Sequence, residues 1–189
     1  MGLSWIPNAI TVVRLLMAAP LSWAILANEP RLSLTLVVVA GLSDALDGLL
    51  ARRFGWRSRL GGLLDPAADK VMLLACYVAL AVSDGAPNWI AWLVVGRDAL
   101  IVAGAVAYNA FVGRLEAQPS LLSKATTCLQ IALVVALLAE RLPSVAMPPW
   151  LHAGLLWSTA AATLASGLHY VVVWTLRVRR GGAARRKET

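Results

Sequence analysis

The stretch Asp44-Ala45-Leu46-Asp47-Gly48-Leu49-Leu50-Ala51-Arg52, followed after eight residues by Gly61-Gly62-Leu63-Leu64-Asp65-Pro66-Ala67-Ala68-Asp69, decides how this chain is read. Its four aspartates are spaced by three, eighteen and four residues, and long apolar runs flank it on both sides. Residues three or four apart share a helix face. Asp44 and Asp47 therefore pair near the end of one apolar run, and Asp65 and Asp69 near the start of the next. The short basic connection between them predicts antiparallel neighbouring helices, which lets the four carboxylates converge. Left alone they would repel one another. A divalent cation relieves this, and all-oxygen ligation suits a hard ion such as Mg2+ or Mn2+. The alternative, a set of helix caps and surface acids, fits poorly with apolar surroundings.

Composition sets the environment. The 189 residues are 59% hydrophobic and 14% charged, with a mean hydropathy of +0.72. Soluble domains carry about 25% charged residues. The expected fold is an all-α integral membrane protein, a six-transmembrane-helix bundle with a short N-terminal interfacial segment. The runs are read at about 9–27, 32–50, 62–82, 89–111, 121–139 and 150–176, each near the ~20 residues that cross a bilayer. Residues 1–176 form one membrane domain on this reading, and 177–189 a loose basic tail. Asn8 is read as the cap of the first run, just after Pro7.

The net charge is +7. Lys and Arg concentrate in the N-terminal end, the 2–3 and 4–5 connections and the tail, whereas the opposite loops hold only Arg31 and Arg141. By the positive-inside rule both termini and the aspartate cluster are cytoplasmic, in a multi-pass protein of the bacterial inner (plasma) membrane. Basicity of this kind points to anionic membrane lipids, and nucleic acid is not an expected partner. No signal-peptide pattern is read ahead of the first run. Cys76 and Cys128 lie in apolar runs and are expected to be buried. No Ser-His-Asp set, Walker A sequence or dinucleotide fingerprint is present.

Further polar residues extend the site. Gly48 lets a ligand approach the backbone beside Asp47, or serves helix packing alone. Ala51 keeps the same surface shallow, and Gly61 permits close helix contact. Arg52 can grip phosphate with its planar fork, or act only as a topology charge. Arg14, Arg97 and Lys124 are candidate acceptor-binding cations. Ionisable groups within membrane runs are costly, so a function or a partner is expected of each. Arg97 and Asp98, being adjacent, do not share a helix face and are expected to find different partners. Structural ion pairing is the alternative role for Arg97, and interfacial anchoring for Lys124.

Asp44, Asp47-Gly48, Ala51-Arg52, Gly61, Asp65 and Asp69 together resemble the full signature of the CDP-alcohol phosphatidyltransferases, with all eight positions present. The resemblance implies transfer of a phosphatidyl group from CDP-diacylglycerol to an alcohol, with release of CMP. It implies two Mg2+ or Mn2+ ions on Asp44, Asp47, Asp65 and Asp69, with Asp69 also the general base. It further implies that Asp44, Gly48, Ala51, Arg52 and Gly61 bind the CDP part, and that the protein is a homodimer. Gly96-Arg97-Asp98 and Ser123-Lys124-Ala125-Thr126-Thr127-Cys128-Leu129-Gln130 resemble segments of the family's cardiolipin-synthesising branch, which points to phosphatidylglycerol as acceptor. Ile6-Pro7-Asn8-Ala9-Ile10-Thr11 also resembles the branch that uses glycerol 3-phosphate, the alternative acceptor. A transporter or non-enzymatic scaffold is the alternative of another class. Transporters place ionisable groups near mid-membrane rather than beside a basic loop.

Overall fold

The computed structural model describes residues 6–54, 61–111 and 120–185, with side chains for 12–13, 15–43, 70–108 and 120–175. Residues 1–5 of the expected interfacial segment 1–7, the basic loop beyond Phe54 and most of the connection after Phe111 lie outside the described residues, while Ile6 and Pro7 belong to the first helix. Six α-helices follow one another: α1 (Ile6–Leu26), α2 (Pro30–Phe54), α3 (Gly61–Val82), α4 (Asn88–Phe111), α5 (Leu121–Glu140) and α6 (Pro149–Arg185). The all-α reading holds. The expectation of six membrane-spanning helices does not. Among the described residues three helices are long and apolar enough to cross a bilayer, over Asn88–Tyr108, Leu121–Glu140 and Pro149–Thr175. The apolar parts of α1, α2 and α3 are Leu15–Leu26, Pro30–Ser43 and Lys70–Val82, each between 10 and 17 residues. In sequence, Asp44 and Asp47 follow the apolar stretch of α2, and Asp65 and Asp69 precede that of α3.

Helix boundaries follow local chemistry. α1 begins at Ile6, ahead of the expected cap Asn8, so Pro7 sits in the first turn, where its missing N–H removes no helical bond. Pro30 and Pro149 likewise open α2 and α6. Ser120 caps α5, its Oγ accepting the Ser123 N–H at 3.1 Å. α6 continues through Arg185, so the basic stretch from Arg177 is helical that far instead of loose.

The chain divides into two units, one of residues 1–91 with 134–148, the other of 92–133 with 149–189. In the first, α1 packs against both α2 and α3. Its core holds Leu21, Ala24 and Ile25 from α1, Val37 and Ala40 from α2, and Leu73, Cys76, Tyr77 and Leu80 from α3. α1 and α3 end in the same way. Asn28 and Asp84 adopt left-handed φ angles of 54° and 53°. Glu29 N–H then donates to Ala24 O at 2.9 Å, and Gly85 N–H to Leu80 O at 2.8 Å, the six-to-one bond of a Schellman cap. Arg141 finishes both ends, donating from Nη1 to Ile25 O (3.2 Å) and from Nη2 to Ser83 O (2.9 Å) and Ser83 Oγ (2.7 Å). A cation at two helix C-termini also meets the negative ends of their dipoles. A Cβ on Gly85 would overlap the Arg141 guanidinium, so a larger residue there would displace that side chain from the two helix ends.

In the second unit the α5–α6 contact is polar. Thr126, Gln130, Thr159, Thr163 and Ser166 are fully buried. Thr126 Oγ1 donates to Ala162 O (3.1 Å), Thr159 Oγ1 to Leu129 O (3.3 Å) and Gln130 Nε2 to Thr163 Oγ1 (3.2 Å). Lipid tails are as apolar as leucine, so small residues and interhelical hydrogen bonds drive association of such helices. Trp174 lies against Gly104 so closely that a Cβ there would overlap the indole. Cys76 is buried as expected, but Cys128 is exposed on α5.

Candidate active site

α2 is unbroken from Pro30 to Phe54. At 100° per residue, its buried stripe of Ser33, Val37 and Ala40 runs on into Asp44, Asp47, Gly48 and Ala51, with Arg52 at its edge. α3 behaves similarly. Asp65 and Asp69 fall on the same stripe as the buried Leu73, Cys76 and Leu80, with Gly61 one turn earlier. Both helices that carry the aspartates pack against α1. The helix register thus puts each pair on one face, as the spacing predicts. The expected convergence of the four carboxylates falls on residues 44–69, whose side chains lie outside the described residues, as does that of Arg14. Among the described residues no group of three or more His, Cys, Asp or Glu is placed to hold a metal ion.

The second unit contains a charged cluster. Arg97 of α4 is 5% exposed. Its Nη1 donates to Asp98 Oδ1 at 2.6 Å. Nη2 donates to Ser123 Oγ of α5 at 2.7 Å and to Ser166 Oγ of α6 at 2.6 Å. The Tyr170 ring centroid lies 5.9 Å from its Cζ, within the range of a cation–π contact. The expectation that Arg97 and Asp98 take different partners is therefore corrected. The guanidinium folds back along α4 to its neighbour's carboxylate, a reach that the flexible stem allows even where the Cβ directions diverge. A buried charge is tolerable only when paired and hydrogen-bonded, and this cluster ties three helices together while meeting that demand. The Arg97 stem passes Gly167 of α6, where an added Cβ would meet Cγ at 3.6 Å, an ordinary contact. Lys124 is exposed on the first turn of α5, its backbone N–H donating to Ser120 O at 3.1 Å.

Sequence reasoning missed Ser166, Thr163 and Tyr170. A signal was available in the run Thr159, Thr163, Ser166 and Tyr170, polar residues three or four apart on an otherwise apolar helix. Arg141 was seen only as a topology charge, and nothing in its Pro-rich loop announces contacts with α1 and α3.

The fold and these residues define a helical integral membrane protein with a carboxylate-rich segment at the junction of α2 and α3. Residues 4–174 match the CDP-alcohol phosphatidyltransferase family, and the chain belongs to that family of membrane-bound transferases of lipid metabolism. It is 31% identical over 182 residues to the human cardiolipin synthase (CMP-forming), covering 87% of this chain and 60% of that protein. It is 30% identical over 193 residues to the rice chloroplastic CDP-diacylglycerol–glycerol-3-phosphate 3-phosphatidyltransferase 1, covering 93% of this chain and 59% of that one. Cardiolipin synthase (CMP-forming) of Streptomyces coelicolor is 37% identical over 103 residues, 51% of this chain and 48% of the relative. The chain thus spans about 60% of the length of the human and rice proteins.

Proposed function

We propose that this protein transfers a phosphatidyl group from CDP-diacylglycerol to phosphatidylglycerol, forming cardiolipin and releasing CMP. The observation that carries the proposal is the complete aspartate signature, set in helix register on α2 and α3 within the matched family region. Similarity to the human and Streptomyces cardiolipin synthases supports the acceptor. The rice relative supports a second reading in which glycerol 3-phosphate is the acceptor.

Four carboxylates on two helices that share α1 as a neighbour are a donor set suited to hard divalent ions. Asp44, Asp47, Asp65 and Asp69 would hold two Mg2+ or Mn2+ ions, whose charge would offset that of the pyrophosphate and of the departing CMP phosphate. Gly48, Ala51 and Gly61 leave space for the nucleotide, Asp44 contributes to its binding, and Arg52 grips its phosphates. Asp69 accepts the proton of the acceptor hydroxyl as its oxygen attacks the phosphorus that bears diacylglycerol. The P–O bond to CMP breaks and the electron pair leaves with CMP. Alignment of the two lipids supplies much of the rate gain. Arg14 and the exposed Lys124 are the cations proposed to meet the acceptor's anionic headgroup. Arg97, with both Nη atoms engaged, ties α4, α5 and α6 together instead.

The remaining assignments follow from the same reading. The matched residues 4–174 lie within one catalytic domain, 1–176, followed by the basic tail 177–189. The protein is a homodimer of the bacterial inner membrane. The basic residues Arg52 and Arg53 beside the aspartates favour the cytoplasmic face for the site.

The test is an assay of purified protein with CDP-diacylglycerol, Mg2+ or Mn2+, and each acceptor separately. A diphosphatidyl product formed only with phosphatidylglycerol, and lost with a chelator, is expected. Product formed only with glycerol 3-phosphate would replace the acceptor and leave the metal-dependent transfer standing.

A further inference from the structure

Arg141 stands in the turn after α5, within the first unit, and its two Nη atoms reach the C-terminal ends of α1 and α3. One guanidinium serves both ends, and the two helices pack against each other. They therefore run parallel, and positions equally far before Ile25 and Ser83 lie at about the same height. Asp69 is fourteen residues before Ser83, about 21 Å down α3 at 1.5 Å per residue. The proposed metal ligands of α3 and the Arg141 contacts thus occupy opposite ends of one helix.

The packing between those ends is largely apolar, with Leu21, Ala24 and Ile25 buried on α1 and Leu73, Cys76 and Leu80 on α3. Ridges and grooves recur along a helix, so such packing discriminates weakly between registers one turn, about 5.4 Å, apart. A guanidinium fork is directional, and its bonds to Ile25 O, Ser83 O and Ser83 Oγ are all made in one register only. α3 has neither Pro nor Gly from Ala67 to Val82. Sharp helix kinks arise mostly at such residues, so a displacement at Ser83 is carried along the helix to Asp69. A metal site assembled from two helices tolerates little of it, since Mg2+ demands near-ideal octahedral geometry at about 2.0–2.1 Å.

We propose that Arg141 is a positioning residue for the transfer reaction, fixing the register of α3 against α1 and through it the placement of Asp65 and Asp69. The inference rests on the metal-binding role proposed above for the aspartates. Gly85 gives independent access to the same device. A Cβ there would fall on the Arg141 guanidinium, and the end of a flexible side chain is the part that yields. The Gly85 φ lies outside the left-handed region, so Gly85→Ala adds no backbone strain. It unseats Arg141 while every polar group of the contact stays in the chain.

The full chain is compared as wild type, Arg141→Met, Arg141→Lys and Gly85→Ala in the same nanodiscs, below the unfolding temperature of each. Mn2+ binding is titrated by electron paramagnetic resonance. Register is read without metal, as the distance between spin labels on Val12→Cys of α1 and Val78→Cys of α3, both exposed positions. The labelled proteins carry Cys128→Ser, because Cys128 is exposed. Val12 is thirteen residues before Ile25 and Val78 five before Ser83, a stagger of about 12 Å, so a slip along the axis changes the distance. All three variants are expected to broaden or displace the wild-type distance and to bind Mn2+ about tenfold more weakly, the usual loss when an outer support of a metal site is removed. Arg141→Lys keeps the charge without the fork, so wild-type behaviour there would reduce Arg141 to a topology charge and overturn the proposal. Wild-type Mn2+ affinity in folded Gly85→Ala, whatever its melting temperature, leaves Arg141 a helix cap alone and also overturns it. An unchanged label distance in Gly85→Ala overturns register as the means. Wild type that binds no Mn2+ sinks the aspartate reading itself and the positioning role with it, an outcome distinct from a wild-type site that the variants leave intact.

Discussion

Asp69→Ala is expected to lower phosphatidyl transfer by on the order of 10^3-fold or more while leaving the protein folded in detergent. The expectation rests on two parts assigned to one carboxylate. Asp69 is proposed as a divalent-ion ligand and as the acceptor of the substrate hydroxyl proton. Its loss removes charge stabilisation of the pyrophosphate and activation of the nucleophile together. Folding should survive, because the core of the first unit is built from the apolar residues beyond it, Leu73, Tyr77 and Leu80 on α3 against Leu21 and Ile25 on α1. The Arg141 bonds that finish α1 and α3 lie at the other end of α3 and are untouched. The measurement is CMP release by purified variant and wild type, with thermal unfolding of both in the same detergent. Asp69→Asn, nearly isosteric but uncharged, should be as inactive as Asp69→Ala. Near-wild-type turnover by either folded variant removes Asp69 from the chemistry.

Arg97→Leu is expected to destabilise the protein by about 3–5 kcal/mol, the usual cost of removing one partner of a buried ion pair. The change deletes the bonds to Asp98, Ser123 and Ser166 at once, and with them the tie between α4, α5 and α6. It also takes the Arg97 cation away from the Asp98 carboxylate, which is 16% exposed. Arg97→Lys should recover only part of the loss, since one ammonium cannot reproduce a planar fork that bonds three oxygens. The double change Arg97→Leu with Asp98→Leu should lie closer to wild type than Arg97→Leu alone, because both members of the ion pair are then replaced by apolar groups. Thermal unfolding of the three variants in one detergent reads these differences. Equal stability of Arg97→Leu and wild type would mean that the cluster does not hold the three helices.

Much of the fold was legible because its signals are local. Helix number and rough boundaries follow from apolar runs punctuated by Asn28-Glu29-Pro30, by Ser83-Asp84-Gly85 and by the Pro-rich segment before Pro149. The left-handed Asn28 and Asp84 show why those turns stop their helices. The number of membrane crossings was misread in part because the aspartate-bearing ends of α2 and α3 were counted in their apolar runs. α2 has 25 residues, but its apolar part ends where the aspartates begin. The catalytic face was legible for a similar reason, since i, i+3 and i+4 spacing survives any packing that leaves the helix intact. Long-range side-chain contacts were not. Arg97 reaches Ser166 across 69 positions and Arg141 reaches Ile25 across 116. No spacing rule links residues that far apart. The Arg97–Asp98 pair failed in the other direction, because a rule about Cβ positions does not bind a long, flexible side chain.

The central claim is that aspartates from two helices form one divalent-ion site. The most direct measurement is Mn2+ binding to the purified protein by electron paramagnetic resonance, in wild type, Asp44→Ala and Asp65→Ala. The account predicts tight binding with the signature of a closely spaced ion pair in wild type. It also predicts that signature lost in both variants, although one alters α2 and the other α3. Unchanged Mn2+ binding in both variants, or loss in one alone, would contradict a shared site.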